Sequence, residues 1–117
     1  MKIIRLTRHA ATQEQIAALQ AHFGGSVQIE EINQSLPSDP RGAVEAFDQI
    51  SDSADVVEAV LPLNLLESVL KFSEFSKRGG VLIRAQMLRT VGEDGSVSFA
   101  FDHYEVVKKV EVLTERL

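Results

Sequence analysis

Strand-like and helix-like segments alternate along this chain, and that alternation restricts the possible folds more than any single motif does. Over Lys2 to Thr7, Ile3, Ile4 and Leu6 make a short apolar run that ends in polar Thr7-Arg8-His9. Thr12 precedes Gln15 at the spacing of a capping box, and Ile16, Leu19 and Phe23 then recur at helical intervals until Gly24-Gly25. Val27, Ile29 and Ile32 suggest a second strand. After the turn-rich segment Ser35 to Pro40, Asp39 is placed to cap a helix whose first position is Pro40. Val44, Phe47 and Ile50 stripe that helix, and Ser51-Asp52-Ser53 closes it.

Asp55 to Leu61 is the most strand-like segment, with Glu58 its single polar interruption. Pro62 ends it, and Leu65, Leu66, Val69, Leu70 and Phe72 predict one helix running to Lys77-Arg78 and Gly79-Gly80. Val81 to Leu88 reads as a strand and Gly92-Glu93-Asp94-Gly95 as a hairpin loop, because Val97, Phe99 and Phe101 alternate after it. From Val106 both periods fit, and the β-branched content of Val110, Val112 and Thr114 favours a strand. The order predicts an α/β fold: a small Rossmann-like, mainly parallel sheet flanked by helices, with a C-terminal antiparallel β extension.

With 117 residues, one domain over residues 1 to 117 is expected, large enough to bury a core without disulfides or metal. The lack of cysteine removes thiol catalysis and zinc ribbons, leaving carboxylate, imidazole, hydroxyl and guanidinium groups. Twelve Lys and Arg against 17 Asp and Glu give a net charge of −5, which argues against coating duplex DNA by counterion release. Carboxylates lack the spacing of a divalent-cation cage, and neither G-x-G-x-x-G nor a P-loop occurs, so chemistry without metal or cofactor is expected. The opening Met-Lys-Ile-Ile-Arg reads as a strand rather than a signal peptide, and without a membrane span the expected compartment is the cytoplasm.

Ligands of parallel α/β sheets sit beyond the carboxyl ends of the strands. That rule selects Thr7, Arg8 and His9 after the first strand, Asn33 and Gln34 after the second, Leu63 and Asn64 after the third, and Gln86 to Arg89 after the fourth. Arg8 offers a fork of donors for a phosphate at a helix N-terminus, or else a surface salt bridge. His9 offers a proton donor or nucleophile titrating near neutrality, or else a loop imidazole bonded to a carbonyl. Thr12 is a cap whatever else it does, and Asn64 reads first as a cap and second as a reader of base or ribose. Arg84, in a strand expected to be largely buried, needs a partner, for which Glu58 or Asp55 is closest to hand. Gln86 shares its face, and Arg89 is the better ligand candidate. Glu30-Glu31 reads as a solvated face, and His103-Tyr104 as the end of an edge strand or an approach to a second subunit.

Leu6-Thr7-Arg8-His9-Ala10-Ala11-Thr12 resembles the first-strand motif of the histidine phosphatases, with Ala10 in place of their usual Gly. In that family the His is phosphorylated and the Arg binds the phosphate, which would make the chain a phosphomonoesterase. In size and layout the chain more closely resembles the small single-domain CRISPR-associated ring nucleases related to CARF domains. The likeness rests on Leu6-Thr7-Arg8-His9 and on Val57-Glu58-Ala59-Val60-Leu61-Pro62-Leu63 leading to a helix. It implies a homodimer that binds cyclic tetra-adenylate across its two-fold axis and ends type III CRISPR signalling by cleaving it. The implied reaction is metal-independent: a ribose 2′-hydroxyl attacks its neighbouring phosphorus in line and expels the 5′-oxygen. Arg8 would steady the charge on phosphorus and His9 would protonate the leaving oxygen, with Thr7, Thr12, Asn33, Asn64, Gln86 and Arg89 as ligand contacts. A cyclic-nucleotide sensor that does not cleave is the non-enzymatic alternative.

Overall fold

Ile3 and Ile4 point to opposite sides of β1 (Lys2–Leu6), and both are buried, so the first strand is covered on both faces. The computed structural model describes residues 1–110 and 115–116. After β1 come α1 (Gln13–Phe23), β2 (Gln28–Ile32), α2 (Pro40–Ile50), β3 (Val56–Glu58), α3 (Leu63–Phe72), α4 (Glu74–Lys77), β4 (Val81–Val91) and β5 (Val97–Val107). The strands form one sheet in the order β2-β1-β3-β4-β5, parallel except for the β4–β5 hairpin. This is a mixed α/β architecture with a mostly parallel five-stranded sheet. Among the described residues no helix is long and apolar enough to cross a membrane.

Alternation along the strands builds two cores. Ile4, Val57 and Leu82 meet Phe47 of α2, Val69 of α3 and Phe75 of α4 on one face, and Ile3, Val56 and Ile83 meet Leu19 of α1 on the other. Phe47 and Phe75 cross edge to face with ring centroids 5.5 Å apart. The caps read from sequence are formed. Thr12 and Gln15 make the reciprocal box on α1, and Asp39 accepts from the Gly42 amide with Pro40 at the first helical position.

Four expectations change. The third strand spans only Val56–Glu58 rather than Asp55 to Leu61, because its pairing with β1 ends at Arg5 opposite Glu58 and β1 itself stops at Leu6. The single helix before Gly79 is broken at Ser73, whose backbone is extended and whose hydroxyl caps α4 by accepting from the Ser76 amide. Arg84 is half exposed and pairs with Glu105 across the hairpin at 3.3 Å, not with Glu58 or Asp55, since β4 outruns β3 after Ile83. The fourth strand continues to Val91, so β4 and β5 form an arm that leaves the helix-covered sheet. The strand expected around Val112 and Thr114 falls outside the described residues.

Candidate functional site

The sheet order reverses direction at β1: the first connection carries the chain to β2 on one side, and β3 returns it to the other. At such a switch point the connections diverge and open a crevice at the carboxyl ends. Here a cleft of about 460 Å³ lies there, between the ends of β1, β2 and β3. Leu6, Leu36, Leu61, Pro62 and Leu65 give it an apolar floor, and Thr7, Arg8, Asn33, Gln34 and Ser38 give it a polar lip. The volume lies in the range of small-molecule sites, roughly 300–1,000 Å³. Of the candidates read from sequence, the fold thus brings Thr7, Arg8 and Asn33 together, with Gln34 beside them.

Arg8 is exposed, and among the described residues its guanidinium has neither hydrogen bond nor ion pair. Its five N–H donors are therefore free for a ligand on the lip of the cleft. The helix amides available to an anion are not those expected from sequence. At α1 the Gln15 amide donates to Thr12, the Thr12 amide to Gln15 Oε1, and the Ala11 amide to the Glu31 carboxylate at 2.8 Å. A carboxylate already occupies the position where a phosphate would sit. At α3 the chain enters through Pro62 with no side chain capping the helix, and Pro62 and Leu65 line the cleft. The free amides of that first turn and the positive end of its dipole give the cleft a second electropositive wall.

His9 does not line the cleft. It is exposed, its amide donates to Thr7 Oγ1 and its carbonyl accepts from Arg5. Thr12 is consumed as the cap of α1. Asn64, expected as a cap, is instead the second residue of α3, exposed and outside the cleft lining, because Pro62 takes the cap position. Gln86 and Arg89 lie on the β4–β5 arm and do not line the cleft.

Sequence reading missed the buried polar centre beneath the loop. Arg5 is 2 % exposed and donates through Nε and Nη2 to both oxygens of Glu58, through Nη1 to Glu31 and the His9 carbonyl, and through Nη2 to Gln15. Tyr104 Oη donates to Glu58 Oε1 at 2.7 Å. Burial alone would lower the Arg5 pKa, but the hydrogen bond and charge of Glu58 outweigh it and the net shift is upward. Burial, then Glu58, pushes the Tyr104 phenol up, so it stays a neutral donor. No buried side-chain nitrogen or oxygen among the described residues lacks a partner. The network fixes the loop backbone on which Arg8 is mounted, since Arg5 holds the His9 carbonyl and Glu31 joins Arg5 to the Ala11 amide. Glu31 is therefore not simply solvated. The readable signal was a lone charge in each of two neighbouring apolar strands, Arg5 and Glu58.

On the α1 side a smaller hollow of about 230 Å³ lies beside His22 and His103. There Asp102 first, then Glu105, raises the His103 pKa by hydrogen bonding to its ring. Among the described residues no three His, Asp or Glu side chains converge as metal ligands. The chain matches no protein-family model, no curated protein and no solved structure.

Proposed function

We propose that this chain is a Rossmann-like, CARF-related ring nuclease that binds one part of a cyclic oligoadenylate in the β1–β3 cleft and cleaves the ring without metal. The observation that carries the reading is the unpartnered Arg8 guanidinium on the lip of a cleft whose opposite wall is the uncapped start of α3. A phosphate fits between these two sources of positive potential, a base fits the apolar floor, and Asn33 and Gln34 supply polar edges for it. At about 460 Å³ the cleft holds one nucleotide unit rather than a four-nucleotide ring. The ring would span two clefts related by a two-fold axis, and the functional unit is then a homodimer.

The reaction needs alignment more than acid–base power. At each of two opposite linkages a 2′-hydroxyl loses its proton to solvent and attacks the adjacent phosphorus. The phosphorus to 5′-oxygen bond breaks, and that oxygen takes a proton from solvent, so the products are two linear di-adenylates ending in a 2′,3′-cyclic phosphate. Arg8 would stabilise the added charge on the phosphoryl oxygens. The position of His9 outside the cleft lining favours a second reading, a sensor that holds the ring without cleaving it. It also weakens the phosphomonoesterase reading, which needs that imidazole at the phosphate.

Labelled cyclic tetra-adenylate incubated with the protein in EDTA separates these readings. Cleavage to di-adenylate supports the nuclease, retention of intact ring supports the sensor, and absence of binding removes both. Replacing Arg8 by Ala is expected to weaken binding by about tenfold to a hundredfold, as loss of a charge-assisted pair does. Equal binding by wild type and R8A would remove Arg8 from the site. Replacing His9 by Ala is expected to slow turnover only if ligand binding draws the loop inward.

A further inference from the structure

We infer that a basic hollow between α3 and the end of β5 is a second anion site, one that takes the phosphate head of a small phosphorylated ligand. The hollow has a volume of about 230 Å³ and shares no lining residue with the β1–β3 cleft. Strand alternation assembles it. Leu82 and Val107 are cross-strand partners, and both join the core on the side of α2 and α3. Arg84 and Glu105, two residues further along each strand, therefore stand on that same face. β4 has no parallel neighbour beyond Ile83, so the space beside Arg84 is open. Leu63 and Leu66 of α3 form an apolar wall, and Lys108 and Lys109, which follow β5, close the opposite side.

The charge at this hollow runs against that of the whole molecule. Arg84, Lys108 and Lys109 bring three positive charges to it against the single carboxylate of Glu105, in a chain whose net charge is −5. Glu105 is shared: one oxygen accepts from Arg84 Nη2 at 3.3 Å, and the other lies 3.4 Å from His103 Nε2. Arg84 thus keeps donors to spare. Lys108 is exposed, and among the described residues its ammonium has neither hydrogen bond nor ion pair. A guanidinium fork and an ammonium point charge beside an apolar wall suit phosphate, and a dianion gains more from this excess than a carboxylate does. Size narrows the class further. The hollow is smaller than the roughly 300 Å³ at which sites for whole small molecules begin, so it takes a head group and leaves the rest of the ligand outside. None of this depends on what the first cleft binds.

Inorganic phosphate titrated into the isotope-labelled full chain at fixed ionic strength, with amide resonances as the readout, tests the assignment. The expected result is saturable movement of the Lys108, Lys109 and Val110 amides, with binding weakened about tenfold by Lys108→Ala and by Arg84→Ala. Glu105→Gln removes the competing charge and is expected to tighten binding about threefold, the scale of a half-exposed ion pair. Arg41→Ala, which removes an exposed cation on α2, is expected to leave binding unchanged. Should Arg84→Ala disturb the hairpin, the opposite signs of Lys108→Ala and Glu105→Gln decide. Amides of Lys108 to Val110 that never saturate overturn the site, as do equal losses in Arg41→Ala and Lys108→Ala, which would mean diffuse charge attraction. Movement confined to the Thr7 and Arg8 amides also overturns it, because phosphate would then belong to the first cleft. Phosphate that cyclic tetra-adenylate displaces from Lys108 overturns the claim of a separate site, and phosphate that stays there supports it. Saturation at Lys108 in a protein that does not bind cyclic tetra-adenylate supports the hollow and refutes the nucleotide reading.

Discussion

Arg5 is the residue on which both stability and the shape of the loop depend. A guanidinium that is 2 % exposed survives because five acceptor contacts surround it, two of them to Glu58. Removing one partner of a buried pair leaves an uncompensated charge, so Glu58→Ala is expected to cost about 3–5 kcal/mol in urea denaturation. Tyr104→Phe, which removes one neutral donor from Glu58 and leaves the Arg5 contacts in place, is expected to cost about 1 kcal/mol. Equal midpoints for Glu58→Ala and wild type would mean that Arg5 reaches water in solution and that the loop is not held from below. Half of this pair was legible in the sequence. Glu58 stood out as the polar exception in an apolar strand and was matched to a buried arginine, but to Arg84. Choosing between Arg84 and Arg5 requires knowing that β3 pairs with β1 at Glu58 and that β4 leaves the covered sheet after Ile83, and neither fact is local.

At the scale of elements, the signals that were legible are those contained within a few residues. The Thr12–Gln15 box and the Asp39-Pro40 start need only their own turn, and both formed as read. The break between α3 and α4 was not legible because Ser73 interrupts a continuous apolar period for a tertiary reason: it lets Phe75 turn into the core against Phe47. Gly80 closes the same arrangement from the other side. A Cβ at Gly80 would run into the ring of Phe75, which is wholly buried, so that ring or the backbone around Gly80 would have to shift. Gly80→Ala is thus expected to destabilise by about 1–3 kcal/mol, as overpacking does. Gly25→Ala, where an added Cβ meets nothing within 4 Å, is expected to change stability by less than about 0.5 kcal/mol. Thermal unfolding of the two variants side by side checks the contrast, and equal losses would mean that the Phe75 ring has room to move.

For the whole molecule, the two cores and the arm differ in what holds them. β1, β3 and the start of β4 are covered by helices on both faces, through Ile4, Val57 and Leu82 on one side and Ile3, Val56 and Ile83 on the other, whereas among the described residues the strand segments from Leu88 to Ala100 pair only with each other across the hairpin. Amide exchange should therefore divide the chain. The amides of β1 and β3 open only with global unfolding, while those of the arm open locally at much lower free energy in dilute solution. Mass action then ties this division to the proposed homodimer: if the dimer contact covers the arm, the arm's protection rises as protein concentration rises, by RT ln of the bound-state excess, while β1 and β3 stay unchanged. Exchange measured at two widely separated concentrations on the intact chain reads both terms at once. Arm amides that are slow at every concentration would place the stabilisation within a single chain. Arm amides that are fast at every concentration would mean that nothing in a solution of this protein alone covers that face.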